Sequence, residues 1–220
     1  MLFTDRVHAG QHLAAALSYL AGQPDTILLG LPRGGVPVAA EVAKALGLPL
    51  DILLVRKLGV PGHEEYAMGA IAGGDLIFLN QQVLRQLRLG QSQVDAVIER
   101  ERAELHRREQ RYRGDYPAPD LKDRNVVLID DGLATGATMR VAIRAANQAG
   151  ARSVVVAVPL GASDTCAELA PLVDRLECPY PLDDLGGVGA WYGDFSQTTD
   201  EQVIELLEQY RRGGAREEDE

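Results

Sequence analysis

Short apolar runs alternate with helix-periodic segments over most of this chain. Thr26 to Leu31, Leu50 to Val55, Val126 to Ile129 and Ser153 to Pro159 are too short for helices and lack polar alternation, so they predict strands buried on both faces. Between and around them, 3.6-residue periodicity predicts helices. One runs from a Thr4 cap to about Ala21, with Val7, Leu13, Ala14, Leu17 and Leu20 on its apolar side and Gly22 as a stop. Others run from Val36 to Leu46, ended by Gly47, from Met139 to Ala149, ended by Gly150, and from Asp164 to Val173. The last, Asp200 to Arg212, carries Val203, Leu206, Leu207 and Tyr210 on one side. Strands alternating with helices define an α/β chain with an open, mostly parallel twisted sheet covered on both faces.

Three stretches depart from this rhythm. After Val55 the pattern loosens through Arg56 to Tyr66, and Ala67 to Ala72 and Leu76 to Leu79 then flank Gly73-Gly74-Asp75 as a hairpin. Asn80 and Ser92 are candidate caps for two helices, one to Leu89 and one to about Arg113, which together form an insertion over residues 80–113. The second is dense in Glu and Arg, with Val94, Val97, Ile98 and Leu105 as its apolar seam, and reads as a solvated, ion-paired helix. Residues 115–120 link it to the next strand. Near the end, Pro179, Pro181, Gly186, Gly187 and Gly189 break the pattern before Trp191-Tyr192-Gly193-Asp194-Phe195, leaving residues 179–199 irregular. Residues 1–212 are expected to form one domain, and residues 213–220, with Glu217, Glu218, Asp219 and Glu220, a disordered acidic tail.

Composition narrows the function classes. The 220 residues, 46% hydrophobic, can bury one sizeable core. A formal charge of −10 argues against a general nucleic-acid or membrane surface, which needs basic faces. Cys166 and Cys178 lack CxxC spacing and nearby His partners, so neither zinc nor a disulfide framework is expected. Without a leader pattern or a long apolar span, the expected location is the cytoplasm.

The chemistry concentrates in Val126 to Thr138, Val-Val-Leu-Ile-Asp-Asp-Gly-Leu-Ala-Thr-Gly-Ala-Thr. Asp130 and Asp131 end a buried strand, and the small-residue turn from Gly132 to Thr138 opens a helix. Backbone N–H groups and a helix N-terminus converge in such a turn, which suits a phosphate. Carboxylates beside it repel a bare anion, so the ligand should also offer hydroxyls or a metal, and a sugar phosphate satisfies both halves. The bland alternative is an ordinary strand and turn. The missing Lys after the turn excludes a Walker A loop, and receiver domains place their acid pair near the first strand.

The stretch resembles the phosphoribosyl-pyrophosphate (PRPP) loop of the type I phosphoribosyltransferases: four hydrophobic residues, two acids, then Thr135-Gly136-Ala137-Thr138. The resemblance covers the sheet core from about Thr26 to Pro159. It implies that Asp130 and Asp131 bind the ribose 2- and 3-hydroxyls and that Leu133, Ala134, Thr135, Gly136, Ala137 and Thr138 hold the 5-phosphate. It also implies Mg²⁺ as cofactor, carried mainly through PRPP and in part by Asp130 and Asp131. A nitrogenous base or nucleotide is the second small-molecule partner; the oligomeric state is open, with a homodimer among the options.

Further pieces extend this site. Arg33 lies between Pro32 and Gly34-Gly35 after the first strand, where glycines admit close approach of an anion and a guanidinium offers bidentate contacts. Alone, the same residues could be a glycine turn into a helix with Pro37 in its first turn. The resemblance makes Arg33, Gly34 and Gly35 the pyrophosphate loop, with a cis peptide between Pro32 and Arg33. Arg56 and Lys57 follow the second strand, as pyrophosphate ligands or as surface charge. Arg33 and Lys57, with the two aspartates, are the candidate catalytic residues.

His63, Glu64, Glu65 and Tyr66 fall where the family has a mobile cover, and could hold an acid or base. His8 and His12 sit one helical turn apart without a third metal ligand, and His106 has no assigned role. Trp191, Tyr192 and Phe195 form either a stacking surface for a base, as in the family's hood, or a small satellite core. Two functions follow: transfer of phosphoribose to a base with release of pyrophosphate, or a catalytically weak regulator sensing PRPP or a nucleotide.

Overall fold

A computed structural model of the chain describes residues 2–73 and 76–214. Helix α1 (Arg6–Ala16) leads to β1 (Thr26–Gly30), α2 (Gly35–Leu46) and β2 (Leu50–Ile52). A three-stranded unit follows, β3 (Val55–Val60), β4 (His63–Ala72) and β5 (Leu76–Leu79), then α3 (Gln81–Gln86) and the long α4 (Gln91–Arg113). The chain returns through β6 (Asn125–Ile129), α5 (Ala137–Gln148), β7 (Ser153–Ala157), β8 (Leu160–Ala162), α6 (Ser163–Leu169), β9 (Arg175–Glu177) and β10 (Tyr180–Leu182) to α7 (Asp200–Gly214).

The central sheet is parallel, in the order β2-β1-β6-β7-β9. Successive strand residues point to opposite faces. Leu28, Val127 and Ile129 join Val36, Val38 and Leu13 from α2 and α1 in one core, which also receives Val203 and Leu207 of α7. Ile27, Leu29, Val126 and Leu128 join Met139, Ala142 and Ile143 of α5 in the other. Strands covered on both faces have no reason to alternate in polarity, which is why these runs are continuously apolar.

Because β2 lies on one side of β1 and β6 on the other, strand order reverses between β1 and β6. That is where a wound sheet opens a crevice at its carboxyl edge. The loops entering it are residues 31–34 and 130–136.

Several boundaries differ from the sequence expectation. Asp5, not Thr4, caps α1, its Oδ1 accepting from His8 N at 2.8 Å, and the helix ends at Ala16 before a short 3-10 turn. Asn80 caps α3 as expected, through Gln82 N and Val83 N. Gly90, not Ser92, precedes α4, and Gln93 Oε1 accepts its N–H at 3.0 Å. The supposedly loose segment Arg56 to Tyr66 is the end of β3 and the start of β4, joined by a turn at Pro61-Gly62. The predicted second strand breaks after Ile52, and its continuation pairs antiparallel with β4 across a register irregularity at Leu58 to Val60. The expected hairpin is the β4–β5 pair of this second sheet, although its turn residues Gly74 and Asp75 lie outside the described residues. So do residues 215–220 of the expected tail, while Gly213 and Gly214 belong to α7.

A third, small core joins the chain's two ends. Phe3, Ala9, Leu160, Leu185 and Tyr192 pack together beside Trp191, and the Trp191 carbonyl accepts from Leu2 N and Phe3 N. Cys166 and Cys178 are both free thiols, the first buried and the second partly buried.

Candidate active site

The two loops at the sheet crevice touch. Gly35 begins α2 with its Cα facing the end of β6: a Cβ there would lie 2.5 Å from the Ile129 carbonyl oxygen and 2.9 Å from Asp130 Cα. At Gly34 a Cβ would stand 2.7 Å from Asp131 Cγ. Only side-chain-free residues let the first loop lie directly on the acid pair. The Pro32–Arg33 peptide is cis.

Asp130 and Asp131 are adjacent, partly buried carboxylates. Burial, then the Asp131 charge, holds the Asp130 carboxyl well above the ordinary range, although the Asp131 backbone N–H donates to its Oδ1 at 2.9 Å. Asp131 is also raised by burial, against the opposing pull of Arg6. Arg6 Nε donates to Asp131 Oδ2 at 2.9 Å, its Nη1 to the Ser196 carbonyl at 2.7 Å, and its guanidinium lies 4.1 Å from the centre of the Phe195 ring. Sequence reasoning missed Arg6: one arginine in an N-terminal helix carries no signal for a partner so far along the chain. The Tyr192 hydroxyl donates to the Asp131 carbonyl at 2.5 Å, so the hood braces the backbone of the pair.

The following turn is pinned from outside. Leu133 is buried, its N–H donates to the Leu160 carbonyl at 3.0 Å, and its own carbonyl accepts from Ala162 N at 2.8 Å. Its amide is therefore committed to β8. Thr165 Oγ1 donates to the Ala134 carbonyl at 2.7 Å. Gly136, with φ of 70°, turns the chain into α5. A Cβ there would meet Thr165 Cγ2 at 2.8 Å, so glycine meets both a backbone and a space requirement. Ala134, Thr135, Ala137 and Thr138 remain exposed at this helix start, the arrangement that favours an anion.

Other candidates lie elsewhere. Arg56 Nε donates to Glu101 Oε2 at 2.7 Å, tying β3 to α4. Burial would raise the Glu101 carboxyl, but hydrogen bonds and charge from Arg56 and Arg100 outweigh it and hold the group below its usual range. Arg56 is thus a structural partner of α4. Exposed Lys57 shares with it a cavity bordered by Glu64 and Arg100, not by the acid pair. The Arg33 guanidinium faces Asp200 of α7 at 3.7 Å. Trp191 Nε1 donates to the Leu185 carbonyl at 2.9 Å and Tyr192 is buried, so these two rings belong to the small core. Phe195 is the exposed ring of the three. His63, Glu64 and Tyr66 are strand residues of β4. His8 and His12 meet through their Nε2 atoms at 3.0 Å, and among the described residues no three His, Cys, Asp or Glu side chains cluster to hold a metal. No helix among these residues is long and apolar enough to cross a membrane.

An open parallel sheet with a glycine loop, an acid pair and a helix-opening turn at its switch point places the chain in the wound α/β class. The sequence model of the phosphoribosyl transferase domain family matches residues 4–184, and the chain belongs to that family. A Mycobacterium tuberculosis (strain H37Rv) protein, provisionally named a phosphoribosyl transferase, is 44% identical over 211 residues, covering 96% of this chain and 47% of that one. The chain therefore spans about half the length of that relative. The crystal structure of TT1426 from Thermus thermophilus is 43% identical with a TM-score of 0.84, covering 96% of this chain and 99% of that one. The adenine phosphoribosyltransferase of Mycobacterium avium is 48% identical over 62 residues, 27% of this chain and 34% of that one.

Proposed function

We propose that the protein transfers phosphoribose from PRPP to a nitrogenous base and releases pyrophosphate, with Mg²⁺ as cofactor. The observation that carries this reading is the seating of Gly34 and Gly35 on Asp130 and Asp131, which joins the glycine loop, the acid pair and the phosphate turn at one crevice. Asp130 and Asp131 would accept hydrogen bonds from the ribose hydroxyls and offset positive charge developing at the anomeric carbon. The exposed turn from Ala134 to Thr138 would hold the 5-phosphate. Arg33 and the amides of Gly34 and Gly35 would stabilise the departing pyrophosphate, and positioning would supply much of the rate.

The donor set fits a hard cation shared with ligand oxygens: two carboxylates beside a diphosphate, where Mg²⁺ would neutralise charge on the leaving group. Lys57 and Arg56 keep at most an outlying electrostatic part, since their cavity is bordered by other groups. The partial likeness to an adenine enzyme makes purines the first acceptors to try.

A second reading, a PRPP- or nucleotide-sensing protein, draws on the Arg6 ion pair, which already engages one acid. The test is Mg²⁺-dependent pyrophosphate release from PRPP across a purine and pyrimidine panel, with loss of the signal in Asp130→Asn/Asp131→Asn. If every base leaves PRPP intact while PRPP still binds, the sensing reading replaces the enzyme.

A further inference from the structure

The Arg33 side chain leaves the glycine loop toward a second cavity. Arg107, Arg108, Arg111 and Tyr112 of α4 and Asp200 of α7 line it with Arg33. Its volume is about 130 Å³, several times the ~30 Å³ share of a water molecule. Four guanidiniums thus border one small space in a chain whose formal charge is −10.

The charges inside this cavity are unevenly matched. Arg107 and Arg108 both hydrogen-bond Glu104, at 2.7 and 2.8 Å, and those bonds pull its carboxyl down to about 2. Asp200 is the single carboxylate lining the cavity. It accepts from the Tyr112 hydroxyl at 2.6 Å, pairs with Arg111 Nη1 at 2.8 Å, and faces Arg33 Nη1 at 3.7 Å. Arg111 also reaches Glu201 at 2.9 Å. Asp200 therefore sits as an internal anion between Arg111 and Arg33, while Arg107 and Arg108 line the same cavity with their guanidiniums held by Glu104.

We propose that this cavity is a binding site for a phosphoryl group, built by the insertion helix α4 and not by the sheet crevice, with Asp200 as the resident anion that an incoming phosphate displaces. Planar guanidiniums suit phosphate oxygens bidentately, and the four arginines outnumber the three carboxylates they touch, Glu104, Asp200 and Glu201, which leaves the cluster cationic. Tyr112 would turn its hydroxyl from Asp200 to the ligand. The phosphoryl group could belong to the diphosphate of a ligand seated in the crevice, reached through Arg33, or to a separate anion bound on its own.

Inorganic pyrophosphate is the probe, titrated calorimetrically into the full chain at low salt. Asp200→Asn should tighten its binding severalfold, because the competing carboxylate is gone, while Arg108→Gln should weaken it by about tenfold, the order of one lost charge-assisted contact. Neither residue belongs to the proposed ribose or 5-phosphate site, and Arg108→Lys should restore part of the affinity, separating binding from folding. Saturation with PRPP identifies the source: exclusion of pyrophosphate assigns the cavity to the donor's diphosphate, and simultaneous binding assigns it to an independent anion. Unchanged affinity in both Asp200→Asn and Arg108→Gln overturns the proposal, as does absence of pyrophosphate binding at millimolar concentration. Because the readout is binding and not turnover, an inactive protein that passes this test refutes only the transferase reading.

Discussion

Gly35→Ala probes the contact on which the site rests. Two effects oppose each other. Alanine favours a helix over glycine by up to about 1 kcal/mol, and Gly35 opens α2, which argues for mild stabilisation. Against this, the new methyl carbon would sit 2.5 Å from the Ile129 carbonyl oxygen and 2.9 Å from Asp130 Cα. Those are backbone atoms at the end of a central strand and just beyond it, and they cannot rotate aside. Overpacking of this kind costs about 1–3 kcal/mol, so the clash outweighs the propensity gain. At roughly 2–4 °C per kcal/mol for a chain of this size, Tm should fall by several degrees. Relief of the clash moves the glycine loop off the acid pair, and PRPP affinity should drop at least about tenfold, since small displacements of positioning groups are costly. Gly187→Ala is the control, because a Cβ there meets nothing within 4 Å. Scanning calorimetry and PRPP titration of both variants decide the matter. A Gly35→Ala protein matching wild type in Tm and affinity would refute the reasoning.

Three further perturbations follow from the same geometry. Removing Arg6 as Arg6→Gln leaves the Asp131 charge without its partner in a largely buried setting, so denaturant unfolding should show a loss of about 3 kcal/mol; a loss below about 0.5 kcal/mol, the scale of an exposed pair, would make the contact a surface ornament. Asp130 and Asp131 have folded pKa values raised above their unfolded ones, so the stability they contribute is full below the ordinary carboxylate range and is lost as pH rises through the raised values. Asp130→Asn should accordingly be more stable than wild type at about pH 7.5, with the difference shrinking toward about pH 4, near the ordinary carboxylate pKa. Every tenfold change in proton affinity between the folded and unfolded chain is worth about 1.4 kcal/mol, and urea midpoints at the two pH values would expose the opposite order. Thr165→Val removes the bond to the Ala134 carbonyl, for a cost of about 1 kcal/mol and weaker PRPP binding through a looser turn; undiminished affinity would show that Thr165 does not shape the turn.

What the sequence made legible, and what it hid, has a physical pattern. β1, β6 and β7 were readable because both faces of each are covered, leaving unbroken apolar runs. The acid pair and the turn after β6 were readable because backbone needs, such as the φ of 70° at Gly136, force residue choice. β3 was hidden by Arg56, Lys57 and Gly59, which interrupt its apolar pattern because only part of the strand is covered and its pairing with β4 slips. β8, β9 and β10 span three residues each, too short for any period to emerge. The aromatic cluster near the end was visible in the sequence, but not its use. Trp191 and Tyr192 face Phe3 and Leu185 in a core assembled from both ends of the chain, while Phe195 caps Arg6. Arg6 and the arginine-lined cavity depend on tertiary contacts between distant segments, and local residue patterns do not encode those.

The central claim is that Asp130 and Asp131 clasp the sugar of a phosphoribosyl donor beside a phosphate-holding turn. Calorimetric titration of PRPP with Mg²⁺ into the wild-type chain and into Asp130→Asn/Asp131→Asn tests it most directly. Saturable binding that disappears in the double variant, with its fold retained by circular dichroism, is the expected result. Equal PRPP affinity in the two proteins would contradict it.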